Sequence, residues 1–220
     1  ILIADMIAIP IVYVLMKRRE PVIHDLNKCS FHEIEDNYYQ CLFNENPQQV
    51  IPIKNLTIEE CKFIKIDFNM IELVNTHITD CIFENCDLSN LEFNKVSIHR
   101  CHFINCKMTG LNFIDCSLQD LLFEGVQGRY MNISLGNIRC VEFNDSTLDE
   151  SSFMEVNVKN LVFKQVSFIA GEVFKTSLKG MDFKTTNIEG IRIDDYSLKG
   201  IHVDMYQAIA LASLLGIIVD

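Results

Sequence analysis

Nine cysteines stand at positions 29, 41, 61, 81, 86, 101, 106, 116 and 140. Thiolates act as nucleophiles, redox centres and metal ligands. Their spacing here argues for none of these roles. No Cys-x-x-Cys pair occurs, and recurring intervals of five, ten and twenty residues match no zinc motif. Cysteine as a small apolar filler fits such a column better, and a reduced, cytoplasmic compartment is the simplest setting for it. His99, Cys101 and His102 form a His-x-Cys-His cluster. Cys101 falls on an inward position and both histidines on outward ones, so a third converging ligand is missing. Cys140 is the exception, an outward thiol beside Arg139 whose charge would lower its pKa. No Ser/His/Asp order or phosphate loop is present. The chain therefore reads as a non-enzyme without metal or cofactor.

The elements that carry these residues follow from one period. Every tenth residue from Phe43 to Val203 is large and apolar, through Phe63, Phe83, Phe103, Phe123, Phe143, Phe163 and Phe183. A second series runs from Ile58 to Leu198 at the same interval, broken only by Gly128. The true period is five. It fits neither a helix at 3.6 residues per turn nor a strand at 2.0. A smaller inward residue stands two places before each large one, as in Cys61, Ile66, Cys81 and Cys86. Two inward residues in five describe a short edge and a corner, and four such edges close a coil of twenty residues. A coil cannot bury its apolar side chains alone, so coils must stack, about 4.8 Å apart.

The unit Cys86–Asn90, CDLSN, resembles the A(D/N)Lxx motif of the pentapeptide-repeat family. That resemblance implies an all-β fold: a right-handed quadrilateral β-helix of about eight coils. Residues 41–203 form the solenoid and residues 20–40 an N-terminal cap, with Cys29-Ser30-Phe31 as a first edge out of register. Residues 204–220 form a helix, with Asp204 at its start and Gly216 at its end. Gly128, with Gly125 and Gly136 nearby, predicts a bulge or kink over 121–140. Residues 1–19 open with sixteen residues that are almost wholly apolar, followed by Lys17-Arg18-Arg19. The run is short of the roughly 20 residues that span a bilayer. Three readings stay open: a truncated membrane anchor, a packed cap, or a non-native extension ahead of Met16.

The final DMYQAIALASLLGIIV resembles the C-terminal segment of the Qnr quinolone-resistance proteins. This implies a homodimer through Ile209, Leu211, Leu214 and Leu215. It also implies a partner, type II topoisomerase (DNA gyrase or topoisomerase IV), bound by an acidic rod that imitates DNA. The net charge of −11 disfavours direct contact with nucleic acid. The outward carboxylates Glu72, Glu84, Glu92, Asp115, Glu124, Glu142, Asp145 and Asp182 are the candidate contacts. Two features depart from that pattern. The register leaves no room for a long projecting loop. The charge is also uneven, with 15 acids and 6 bases over 29–124 against 11 and 9 over 125–204. Arg139, Lys159, Lys179 and Lys199 occupy one outward column, either a solvated face or an anion-binding strip. The competing function is an interaction module without a topoisomerase role, tethered to a membrane through residues 1–16.

Overall fold

Residues twenty apart are hydrogen-bonded partners. Ser97 pairs with Ser117, Ser117 with Asn137 and Asn137 with Asn157, all in parallel. The computed structural model, which describes residues 17–31 and 37–218, is a parallel β-solenoid of about eight turns. The coil 61–80 shows the plan. Its first face is 61–64, its second 66–69, its third 71–74 and its fourth 76–79. First and fourth faces run into one another from Ser97 onward, as in Ser97–Ile104 and Ser117–Glu124. Third faces form a separate sheet from Glu92 to Ile193. Second faces are held by single bridges, from Asp67–Asp87 to Ser167–Asn187.

Corners fall on positions ending in 0 or 5, and there the backbone turns left-handed. Asn85, Asn90 and Asn105 have φ of 55°, 60° and 52°. Asn, Asp and Gly tolerate this region best, which explains their frequency at these positions. Leu135, Cys140 and Lys175 adopt it too, at 58°, 53° and 51°. The hydrogen bonds to neighbouring coils outweigh the local cost at those residues.

The interior is a set of columns. Phe43, Phe63, Phe83, Phe103, Phe123 and Phe143 stack nearly parallel, with centroids 4.4 to 5.1 Å apart. Phe163 then turns edge-on to Phe143, at 86°. Phe153 and Phe168 crowd that coil from the sides, and offset or edge geometries are both favourable for aromatic pairs. In the small column, Cys81 donates through Sγ to the carbonyls of Ile58 and Thr79. Thr176 donates through Oγ1 to Phe153 and Phe174 in the same pattern. Ser146 does likewise with Phe123 and Asn144. The position accepts Cys, Ser and Thr because each is small and carries one donor that a buried carbonyl can satisfy.

Several expectations are corrected. The coil 121–140 has no bulge: Leu121, Leu122 and Phe123 pair in register with Val141, Glu142 and Phe143. Leu148 and Met131 fill the space at Gly128, where an added Cβ would lie 2.8 and 3.0 Å from them. The register is interrupted before Val203: after Glu172–Arg192 and Val173–Ile193 it returns at the single bridge Asp182–His202. A helical turn, α1 (Asp195–Leu198), then replaces the fourth face and puts Ser197 rather than Leu198 inside. Helix α2 (Met205–Leu214) closes that end with a capping box between Asp204 and Gln207. Gln207 Nε2 also donates to the carbonyls of Thr186 and of Phe183, the latter shared with the Thr186 amide.

At the other end Asn27–Lys28 pairs with Cys41–Leu42, an offset of fourteen residues. Cys29 and Cys41 form a disulfide, so the thiols are not all reduced; the seven others are free and buried. Phe31 stacks on Phe43 at 4.3 Å and ends the aromatic column. The cap is therefore 27–31 with 37–40, and residues 17–26 lie elsewhere. The apolar segment 1–16 falls outside the described residues, and among the described residues no helix is long and apolar enough to cross a membrane.

Two substitutions test the packing. Phe103→Ala should cost about 3–5 kcal/mol in urea unfolding. Gly136→Ala should destabilise despite its small size, because its Cβ would sit 2.5 Å from the Cys116 carbonyl oxygen; unchanged unfolding midpoints for both would contradict the packing described.

Candidate functional site

The chain ahead of the cap runs along the side of the rod, on the corner between the fourth and first faces. Corner side chains hold it. His24 Nδ1 meets Glu60 at 2.6 Å. The Val22 amide donates to Asp80 at 3.0 Å. The Arg19 amide and Nε both donate to Asp120, at 3.2 and 2.9 Å. Arg18 donates to His102 Nε2 at 2.7 Å and faces Glu142 at 4.0 Å. Residues 18 to 24 thus cross the coils of Glu60, Asp80, Asp120 and Glu142 as an extended strap. Leu122, an apolar residue at an outward position, is buried. Its strand partners are His102 and Glu142, the two residues that Arg18 touches. Leu122, apolar at an outward position, was the sequence signal of a cover over this edge.

The electrostatics follow from the strap. The hydrogen bond and charge of Glu60 raise the pKa of His24. Bonds from Gln40 and His24 lower that of Glu60. Burial opposes ionisation of Asp120, but the bonds from Gln119 and Arg19 outweigh it and leave its pKa below the usual carboxylate range. Burial, with the Arg18 charge, lowers the pKa of His102.

The cysteine cluster places its members apart. His99 lies on the fourth face and bonds Ser97 at 3.1 Å, His102 lies on the first face, and Cys101 is fully buried between them. Among the described residues no group of three or more His, Cys, Asp or Glu could hold a metal. Burial pushes the Cys116 thiol up to about 11. Cys140 is not the exposed thiol its position suggests. It is only 4% exposed, and it lines a groove with Lys17 and Arg18 at the end of the strap. That groove, of about 520 Å³, is also lined by Leu161, Phe163 and Met181.

The eight candidate carboxylates do not share one face. Glu84, Glu124, Glu142 and Asp182 lie on the first face, Glu72 and Glu92 on the third, and Asp115 and Asp145 on corners. Glu84 is paired with Lys62, Glu142 with Lys164, and Asp182 with Lys184. Among the described residues the other five make no ion pair. In α2 and its C-cap, Ile209, Leu214 and Leu215 are exposed, whereas Leu211 is buried. Met205, Tyr206, Ile217 and Ile218 add to the exposed apolar surface.

Residues 76–153 match the family model of the pentapeptide repeat region. No curated protein matches the chain in sequence. Among solved structures, a trypsin-treated QnrB1, a plasmid-mediated fluoroquinolone resistance protein, is 19% identical over 81% of this chain and 95% of its own, with a TM-score of 0.35. Full-length QnrB1 gives 19%, 77% and 92%, with a TM-score of 0.28. HetL, a pentapeptide repeat protein involved in heterocyst differentiation regulation from the cyanobacterium Nostoc sp. strain PCC 7120, gives 11%, 77% and 90%, with a TM-score of 0.22. At this level of similarity these structures bear on neither function nor partner.

The strap should detach when Asp120 is changed. Asp120→Asn weakens two charge-assisted bonds, about 2 kcal/mol in all, so hydrogen exchange at the Arg19 and Val22 amides should accelerate while the coil amides keep their protection. The raised His24 pKa adds a pH dependence. Its contribution is full below about 6.5 and is lost as pH rises through the folded value. Protection at the Val22 amide should fall over that rise, and His24→Ala should abolish the change.

Proposed function

We propose that the chain is a non-enzymatic interaction protein, a rod that presents carboxylates to a basic partner. The partner we assign is a type II topoisomerase, DNA gyrase or topoisomerase IV, with protection against quinolones as the outcome. One observation carries this reading: Glu72, Glu92, Asp115, Glu124 and Asp145 project from successive coils without a neutralising cation among the described residues. A duplex carries about one negative charge per 1.7 Å. A stiff rod with carboxylates at intervals set by the 4.8 Å rise is a sparser version of that charge pattern, and a basic channel would hold it by the same salt-sensitive attraction. The exposed Ile209, Leu214 and Leu215 of α2 fit the interface of a homodimer, which would double the length of the rod.

A second reading is an interaction module without a topoisomerase role. The pairing of Glu84, Glu142 and Asp182 with lysines favours it, since paired carboxylates attract a basic channel less.

Gyrase supercoiling, with and without a fluoroquinolone, separates the two. The first reading expects inhibition or protection at micromolar protein, weakened by salt and by Glu72→Lys with Glu92→Lys; no effect in either assay leaves the module. For the dimer, sedimentation should give twice the chain mass, and Ile209→Asp with Leu214→Asp should halve it; a monomeric parent protein would remove the interface.

A further inference from the structure

One covalent bond joins the cap to the rod. Cys29 follows the two-residue strand Asn27–Lys28, and Cys41 opens the first strand of the first coil. The other seven cysteines are free and buried. Cys41 is buried too, but Cys29 is only half-buried. A reagent in solution therefore reaches the disulfide through Cys29.

Few other contacts hold the cap. The Asn27 and Cys29 amides donate to the carbonyls of Gln40 and Leu42, at 2.9 and 3.0 Å. Lys28 pairs with Glu45 where both are exposed, and exposed ion pairs contribute little. Phe31 lies on Phe43 and is itself buried. Against these stands the conformational entropy lost by holding residues 27–31 in place, and the net gain from two backbone bonds is small. The disulfide offsets much of that loss, because it ties the two segments together at a sequence separation of 12 residues.

Cys41 fits the rod in either redox state. It heads the column continued by Cys61, Cys81 and Cys101. Those three donate through Sγ to the carbonyls of Glu59, Thr79 and His99, each two residues back, at 3.2, 3.2 and 3.3 Å. The Tyr39 carbonyl stands in the same relation to Cys41, 3.6 Å from its Sγ. A reduced Cys41 thus finds an acceptor for its proton in the coil as it stands. The next thiol of the column does not compete for the bond. Hydrogen bonding to Cys81 and burial raise the pKa of Cys61, and a protonated thiol does not attack a disulfide.

We propose that the Cys29–Cys41 bond is a redox latch, which locks residues 27–31 over the first coil when oxidised and frees them when a dithiol reductant opens it, while the coils stay folded. One thiolate of the dithiol attacks Cys29 Sγ. The bond to Cys41 breaks, and Cys41 leaves as a thiolate that takes up a proton. The second thiolate of the dithiol attacks the reductant's own sulfur in the mixed disulfide and expels Cys29, which is protonated in turn. Two electrons and two protons pass to the protein, and the reductant leaves as its disulfide. Opening uncovers Phe43 and Tyr38, both buried against Phe31. It also removes the amides that donate to Gln40 and Leu42. The redox state is thereby converted into an open aromatic coil end.

Hydrogen exchange on the full chain, with and without dithiothreitol, tests this. Exchange at the Asn27 and Cys29 amides should rise about a hundredfold on reduction. The Asn85 and Asn105 amides, bonded between inner coils, should keep their protection. Iodoacetamide added to the native chain should label no cysteine before reduction, and Cys29 and Cys41 after it. Oxidised glutathione should restore the protection. Cys29→Ser should exchange at the fast rate with or without dithiothreitol. Cys41→Ser, whose hydroxyl can use the same Tyr39 carbonyl, repeats the test if the first variant does not fold. A chain purified in air without the Cys29–Cys41 bond, cap exchange that ignores reduction, inner-coil amides that lose protection with it, or protection that oxidised glutathione does not restore would each overturn the proposal.

Discussion

Parallel pairing at an interval of twenty residues is the constraint on which everything else rests. It places each side chain directly over its own column, about 4.8 Å from the next. Inside, a column must therefore be a stack of residues that pack on their own kind. Phenylalanine does so through offset rings, and Cys, Ser and Thr do so because each gives its hydrogen to a carbonyl of the coil before. Outside, the same rule stacks like charge over like charge unless the sequence alternates. The first face does alternate, and its acids Glu84, Glu142 and Asp182 are held by lysines. The fourth face does not.

The repeat, its inward positions and the closing helix were legible in the sequence because they are periodic or carry local end signals such as Asp204 and Gly216. What the sequence hid were the places where one segment meets another outside the period. Gly128 looked like a defect because the column rule asks for a large residue there; Leu148 and Met131 from neighbouring positions supply the volume. Leu198 fitted the register, yet a turn capped by Asp194 moved Ser197 into its place. Cys29 and Cys41 looked like two members of a thiol set, and only the fourteen-residue offset of the first strand brings them together. The strap was hidden most fully. Its partners Glu60, Asp80 and Asp120 read as ordinary corner residues, since corners favour Asp for backbone reasons alone.

That double use of the corner acids gives the strap its character. An aspartate at a corner is compatible with the left-handed turn, and it is also an acceptor aimed away from the coil. The strap lays its amides and arginines along a row of such acceptors without adding a strand to any sheet. Its attachment is a set of separate polar contacts rather than a continuous ladder, so it can be strong at one coil and weak at the next, and it responds to the protonation of His24 while the coils beneath do not.

The path of the strap also fixes how the molecule bears load. Followed back from the disulfide-closed first coil, the chain runs along the edge to Arg18 beside Glu142, where Lys17 and Arg18 share a groove with Gly180 and Met181. The two described ends of the polypeptide therefore emerge towards the same end of the rod. A force applied between them is carried by the strap contacts and the last coil, and the interior stack from Phe43 to Phe143 is mechanically shielded.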